Sequence, residues 1–284
     1  MEVGIGLPTT IPGVTGAQVL EWARRAEARG FSSLGTIDRI VYPNYESLIA
    51  LAAAAAVTER IRLATTILIA PYRANAALVA KQAATLDNLS GGRLVLGVAV
   101  GGREDDYEVS GVDFHTRGKR FDAMLAEWDE LWRGDRVGPP TPRDRPTLIL
   151  GGTVDATYER AARYGDGWSL GGGTPDAFTD GMEKMRAAWS AAGRDGEPRG
   201  MSLAYFSLGD GAKSAAEGYL GDYYGFLGDY VGQIIDSAAT DADTIRGYVQ
   251  GFEAAGCDEF ILFPCDPDPG QVDLLADALD LQAA

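Results

Sequence analysis

Eight short apolar runs, each followed by a stretch of helical character, alternate along this chain. The apolar runs are Val3–Leu7, Phe31–Ile37, Ile61–Leu68, Arg93–Val98, Thr147–Leu150, Gly167–Leu170, Met201–Leu208 and Phe260–Phe263. Helical stretches are predicted at Gly16–Arg29, Tyr45–Val57, Asn75–Leu89, Arg120–Trp132, Asp155–Tyr164, Pro175–Ala192, Ala212–Gln250 and Pro269–Leu281. A strand that alternates with helices pairs in parallel with its neighbours, because each crossover helix returns the chain to the same edge. Eight such units are the number that closes a (β/α)8 TIM barrel. An open, doubly wound parallel sheet is the rival built from the same units.

Two segments depart from the plain repeat. A polar, glycine-containing insertion, Gly101–Gly118, follows the fourth strand; after its helix, Gly134–Pro146 carries four prolines and forms an exposed connection. The segment after the seventh strand is irregular: Ala212–Gln250 is largely helical in pattern but rich in glycine and tyrosine. With no composition shift along its 284 residues, the chain is expected to be one domain, 1–284.

Composition narrows the function. The net charge of −16 argues against a nucleic-acid partner, which needs a basic footprint. The one histidine, His115, makes a histidine-based metal centre improbable, and Cys257 and Cys265 form no CxxC pair. The apolar stretch Leu48–Val57 is far too short for a membrane span. The N-terminus enters a strand at once, with no basic region or apolar signal core, so a cytoplasmic protein is expected.

In a β/α barrel the active site lies at the C-terminal ends of the strands, which selects the candidates. Gly151-Gly152-Thr153 ends the fifth strand and is read as opening the next helix. Two glycines let a ligand approach the backbone, the helix N–H groups point at it, and the Thr153 hydroxyl can donate to a phosphate oxygen. A tight strand-to-helix turn without a ligand is the alternative, and no GxGxxG dinucleotide fingerprint is present. Gly97, Gly101 and Gly102 surround the end of the fourth strand, either as room for a flat ring or as loop tolerance. The run Arg103-Glu104-Asp105-Asp106 suits a solvated face, or Asp105 or Asp106 can accept hydrogen bonds from a ring or ribityl chain. Thr65-Thr66-Ile67 ends strand three and fits interior packing; Asp38-Arg39 ends strand two as an ion pair or a substrate clamp.

Together these residues resemble the bacterial-luciferase-like superfamily of flavin-dependent oxidoreductases. The resemblance rests on Gly91-Gly92-Arg93-Leu94-Val95-Leu96-Gly97-Val98 running into Gly101, Tyr107 to Gly111, and Arg117-Gly118-Lys119-Arg120-Phe121-Asp122. Gly151-Gly152 followed by Ala161-Ala162-Arg163-Tyr164-Gly165-Asp166-Gly167-Trp168 carries the rest. The resemblance implies a barrel that binds reduced FMN or coenzyme F-420, with the phosphate at Gly151, Gly152 and Thr153. It implies a bulged, non-prolyl cis peptide backing the ring at Thr66–Ile67, ring contacts from Thr66, Ile67, Gly101 and Asp105, and a homodimer. Many members place a histidine where this chain has Arg39, and the deazaflavin sugar dehydrogenases an acid where it has Gly102. Arg39 stays protonated and so cannot act as a base. As candidate catalytic residues, Asp38 and Arg39 would set polarity at the reactive edge, Arg39 by stabilising an anion. The implied activity is oxygenation of a small organic substrate with reduced flavin made elsewhere, by a separate flavin reductase. F-420-dependent hydride transfer and flavin binding without turnover are the alternatives. The tyrosine-rich segment Tyr205–Tyr230 is expected to cover the barrel mouth and suggests an aromatic or apolar pocket.

Overall fold

A computed structural model describes residues 1–134 and 136–282. The eight strands close into one parallel barrel in sequence order: β1 Glu2–Gly6, β2 Ser33–Thr36, β3 Arg62–Ile69, β4 Leu94–Ala99, β5 Thr147–Gly151, β6 Gly167–Leu170, β7 Arg199–Phe206 and β8 Glu259–Pro264. Closure is made by β1 against β8, with Val3 beside Phe260 and Ile5 beside Leu262. The open-sheet rival is thereby excluded.

The helices around the barrel are α1 Gly16–Ala28, α2 Ser47–Ala55, α3 Ala76–Leu89, α4 Glu104–Val109, α5 Arg117–Arg133, α6 Asp155–Tyr164, α7 Pro175–Ala191, α8 Ala212–Tyr224, α9 Val231–Asp236, α10 Ala242–Ala254 and α11 Gly270–Ala278. Local chemistry fixes several starts. Thr15 and Gln18 form a reciprocal capping box on α1, and Thr174 caps α7 ahead of Pro175. Asp241 caps α10 by accepting from Thr244 N.

Two layers form the core. The outer one packs helices on strands and buries Trp22, Trp128, Trp168, Phe178 and Phe260. The inner one fills the barrel with Ala64, Val95, Ile149, Met201, Leu203, Ile261 and Phe263. The Phe263 ring lies where a Cβ at Gly6 or Gly35 would be, so these two positions take no side chain.

The sequence expectation needs three corrections. The single helical stretch Ala212–Gln250 is three helices, with a 3₁₀ segment Gly225–Tyr230 after the first and a non-helical stretch before α10. Gly228 breaks the run with φ 59°, and Phe206 bridges Ala239 in parallel just before α10. The post-β4 segment is not simply polar loop: Glu104–Val109 is α4, Phe114–Thr116 is a 3₁₀ turn, and α5 starts at Arg117. Gly151-Gly152-Thr153 does not itself open the next helix, which begins at Asp155, the start expected from its pattern, with Val154 at its N-cap. Among the described residues no helix is long and apolar enough to cross a membrane.

Candidate active site

The C-terminal rim of the barrel gathers most of its buried charge. Asp38, just past β2, is an anchor with every lone pair in use. Its carboxylate accepts from Ile69 N at 2.9 Å, from Arg73 at 3.0 and 3.1 Å, from Ser47 Oγ at 3.3 Å, and from the Tyr72 hydroxyl. Burial, then the Asp38 charge, pushes the Tyr72 phenol far above its ordinary value, so it stays a donor. Arg73 also pairs with Glu46 at 3.0 Å, and Glu46 caps α2 through Ile49 N. Asp38 therefore ties β2, the end of β3 and the start of α2 together.

Arg39 turns the other way. Its Nε donates to Asp106 at 3.1 Å, and its Nη2 to the Val41 carbonyl at 2.7 Å, with Asp105 3.5 Å away. The second oxygen of Asp106 accepts from Ile40 N and Val41 N at 2.9 and 2.7 Å. Asp106 is thus not part of a solvated face: its side chain is 3 % exposed and it fixes the β2 loop to α4. Asp105 differs, being half-exposed and bound to Arg103 at 2.5 and 3.1 Å. That Arg103 bond, outweighing burial, holds the Asp105 carboxyl below its ordinary value.

β3 carries the irregularity that the family resemblance implied. Its register against β4 slips between Thr65 and Leu68, and the Thr66–Ile67 peptide is cis. Thr65 Oγ1 donates to the Gly97 carbonyl at 2.7 Å, and Thr66 Oγ1 reaches the Thr36 carbonyl at 3.4 Å. Ile67 packs against the bare backbone of Gly97 and Gly151. The space at Gly97 is therefore filled by protein, and that beside Gly101 by Ile69; Gly102 alone of the three faces open space.

At the end of β5, Gly151 is buried while Gly152 and Thr153 are exposed. Gly152 has φ +128°, in the region that disfavours a side chain, and its carbonyl accepts from Trp168 Nε1 at 2.6 Å. A Cβ there would press on Thr157. The turn thus offers an exposed backbone with a threonine hydroxyl beside it, a cradle that fits a phosphate. Asp155 in the first turn of α6 is a charge working against it.

The mouth is roofed by α8 and the 3₁₀ segment after it. Tyr219 shares a hydrogen bond with Thr10 at 2.5 Å, Tyr224 one with Tyr205 at 2.6 Å, and Tyr42 bonds Asp222. The Arg103 guanidinium lies 3.8 Å from the Phe226 ring centre. Two cavities flank this roof. One, of about 170 Å³, is lined by Arg39, Ile69, Gly102, Tyr107, Tyr223 and Phe226 among others. The second, of about 450 Å³, opens beside Gly171–Thr174, Leu203, Tyr230 and Phe252. Tyr224 lines both and so partitions the mouth.

Sequence reasoning found Asp38, Arg39, Thr66, Ile67, Gly101, Asp105 and the Gly151–Thr153 turn, all of which sit on this rim. It missed Tyr72 and Arg73, which only the fold brings to Asp38, and it did not single out Tyr223 within the tyrosine-rich run. Cys265 lies at the end of β8 beneath the roof, where burial pushes its thiol up to about 12, an inert value. His115 is exposed.

A closed parallel barrel with its polar groups and glycine turns on the C-terminal rim has the arrangement of a β/α-barrel enzyme. More narrowly, the chain belongs to the luciferase-like monooxygenase family, whose model matches residues 1–257. An uncharacterized protein of Mycobacterium tuberculosis is 34% identical over 211 residues, which cover 61% of this chain and 71% of the relative. Among solved structures, an F-420-dependent secondary alcohol dehydrogenase in complex with an F-420–acetone adduct superposes with a TM-score of 0.84 at 20% identity, over 99% of this chain and 98% of that one. The monooxygenase RslO1 from Streptomyces bottropensis gives 0.78 at 23% identity, over 98% of each chain. Both are alike in fold.

Proposed function

We propose that this protein is a flavin-dependent oxidoreductase that uses reduced FMN, supplied by a separate flavin reductase, to oxygenate a small organic substrate. The observation that carries the reading is the exposed Gly152-Thr153 turn with its positive φ, on the same rim as the β3 bulge, in a chain of the luciferase-like family. Gly151, Gly152 and Thr153 would hold the phosphate through backbone N–H groups and the hydroxyl. Thr66, Ile67 and Gly101 would contact the ring. The bound flavin supplies the redox chemistry; the protein binds, orients and excludes water. Arg39 is permanently charged, so its part is to hold an oxygen in place, not to move a proton. F-420-dependent hydride transfer is the second reading, favoured by the 0.84 superposition on an F-420 enzyme.

Titration with FMN and with F-420, followed by ring fluorescence, separates the two. Gly152→Val forces a branched side chain into a disfavoured φ and into Thr157, and should weaken the bound cofactor by about tenfold or more. If neither cofactor is quenched by the wild-type protein, the flavin reading fails.

The protein is further proposed to be cytoplasmic and to form a homodimer through α2. That helix turns Ile49, Ala52, Ala53 and Ala56 outward, and Ile49 is 70 % exposed. Side chains this small let two helices approach closely. Sedimentation velocity at micromolar concentration should show a dimer that Ile49→Lys dissociates. A wild-type boundary at the monomer mass would sink the proposal.

A further inference from the structure

The smaller rim cavity has donors to offer, while its lining carboxylates, Asp38 and Asp106, are already engaged by other groups. Arg39 is buried, and its Nη1 has no partner among the described residues. Tyr223 is 6 % exposed and lines the same cavity, and its hydroxyl bonds no described residue. The Arg39 guanidinium lies 5.5 Å from the Tyr223 ring centre, so the two side chains are neighbours on this cavity's wall. A buried donor without an acceptor is costly, and of the arginines with such a nitrogen among the described residues, Arg39, Arg62, Arg73 and Arg199, it is Arg39 that lines this cavity, where a ligand can complete it.

Charge then decides which acceptor fits. Arg39, Arg73 and Arg103 face Asp38, Glu46, Asp105 and Asp106, so carboxylates outnumber guanidinium groups by one. Asp106 is itself buried against Arg39 and neutralises it. A ligand carboxylate would lose its water and meet no spare positive charge. A carbonyl oxygen loses far less and needs only the free N–H and O–H. Besides the charged Asp38, Arg103 and Asp106 and the backbone of Gly101 and Gly102, the walls are Ile69, Tyr72, Tyr107, Tyr224 and Phe226, which suit an aromatic or apolar body.

We propose that this cavity takes an uncharged substrate through an acceptor oxygen held by the Tyr223 hydroxyl and Arg39 Nη1, and that Asp106 is the residue that makes it refuse the anionic counterpart. This deepens the proposed function and rests on it for the identity of the ligand as substrate. It also revises the expectation that Arg39 serves an anion.

The test is calorimetric titration of the full chain with 4-phenylbutan-2-one and with its isostere 3-phenylpropanoate, at neutral pH, with and without reduced FMN under anaerobic conditions. The ketone should bind at least about tenfold more tightly than the carboxylate. Tyr223→Phe removes only the hydroxyl and should weaken the ketone about fivefold to tenfold. Asp106→Asn frees the Arg39 charge and should shift the ketone-to-carboxylate preference about tenfold toward the carboxylate, a change that loosened packing would not produce. The proposal is overturned if the wild type prefers the carboxylate, if neither probe binds in either condition, if Tyr223→Phe leaves the ketone affinity intact, or if FMN displaces the ketone. Failure of the flavin reading shows separately, as absent FMN quenching with the ketone preference intact.

Discussion

Asp38→Ala should lower the stability of the protein by about 3–5 kcal/mol, the usual cost of removing one member of a buried ion pair. The carboxylate side chain is 1 % exposed and serves four groups from three elements. Without it, Arg73 keeps only Glu46, the Tyr72 hydroxyl loses its acceptor, and Ile69 N is left unpaired at the end of β3. Because a chain of this size shifts its melting temperature by about 2–4 °C per kcal/mol, the melt should fall by roughly 10 °C. Asp38→Asn keeps a hydrogen-bond acceptor and should lose less. Equilibrium urea unfolding of the three proteins decides the matter. A loss below about 1 kcal/mol for the alanine variant would mean that solvent replaces Asp38, contrary to its burial. The same variant should bind cofactor poorly, because the bulge at Thr66–Ile67 and the loop through Tyr72 both lean on this carboxylate.

What was legible in the sequence follows from how local each feature is. The eight strands were found because each is a compact apolar run set off by turn residues, and parallel strands buried on both faces read as such. Their ends were off by a residue or two. The end of a barrel strand is set by the neighbour's register, as where Arg62 pairs with Ser33, and no local signal reports that. The rim was located by rule, so Asp38, Arg39 and Gly152 were found. Their roles were not, since Asp38 meets Tyr72 and Arg73, 34 and 35 residues further along the chain, only because β2 and β3 lie side by side. The charge run Arg103–Asp106 hid two opposite fates: Asp105 reaches half into solvent, while Asp106 is sealed against Arg39. Only the turn of α4 sorts neighbouring acids onto different faces. The tyrosines of α8 were visible as composition, but their docking onto the mouth depends on the Gly225–Tyr230 break and on contacts such as Thr10 to Tyr219.

The rim and the floor of the barrel divide labour in a way the charges make plain. On the rim, the unused donor of Arg39 borders a cavity, a feature suited to a ligand, whereas Arg62 and Arg199 on the floor also keep an Nε without a partner among the described residues but do not line it. On the floor, the charged side chains are turned on one another. Glu259, wholly buried at the start of β8, accepts from Arg62 at 3.0 Å, Arg199 at 2.9 Å and Ser32 at 2.7 Å; Glu2 binds the same two arginines. One carboxylate from β1 and one from β8 thereby clamp β3 and β7 across the barrel's closing seam. Residues at this end of a β/α barrel serve stability, whereas the chemistry sits at the other.

Glu259→Gln should accordingly destabilise the protein by about 3 kcal/mol at neutral pH, the low end for a buried pair because both arginines are partly in water. Glu2→Gln, with its side chain 42 % exposed, should cost about 1 kcal/mol or less. Acid supplies the check on cause. Burial opposes ionisation of Glu259, but Arg62 first and then Ser33, Ser32 and Arg199 outweigh it, so its folded pKa lies below the ordinary 4.5. Glu2 is lowered in the same way, by Arg62 and Arg199 against burial. A carboxyl lowered on folding stabilises fully above its unfolded pKa, and that contribution is lost as pH falls through the lower, folded value. The gap between wild type and Glu259→Gln should therefore hold steady from pH 7 to about 5 and close progressively below about pH 4.5. Urea unfolding across that range tests it. A gap that stays constant down to pH 3 would show that the substitution acts through packing alone and that the clamp is not electrostatic.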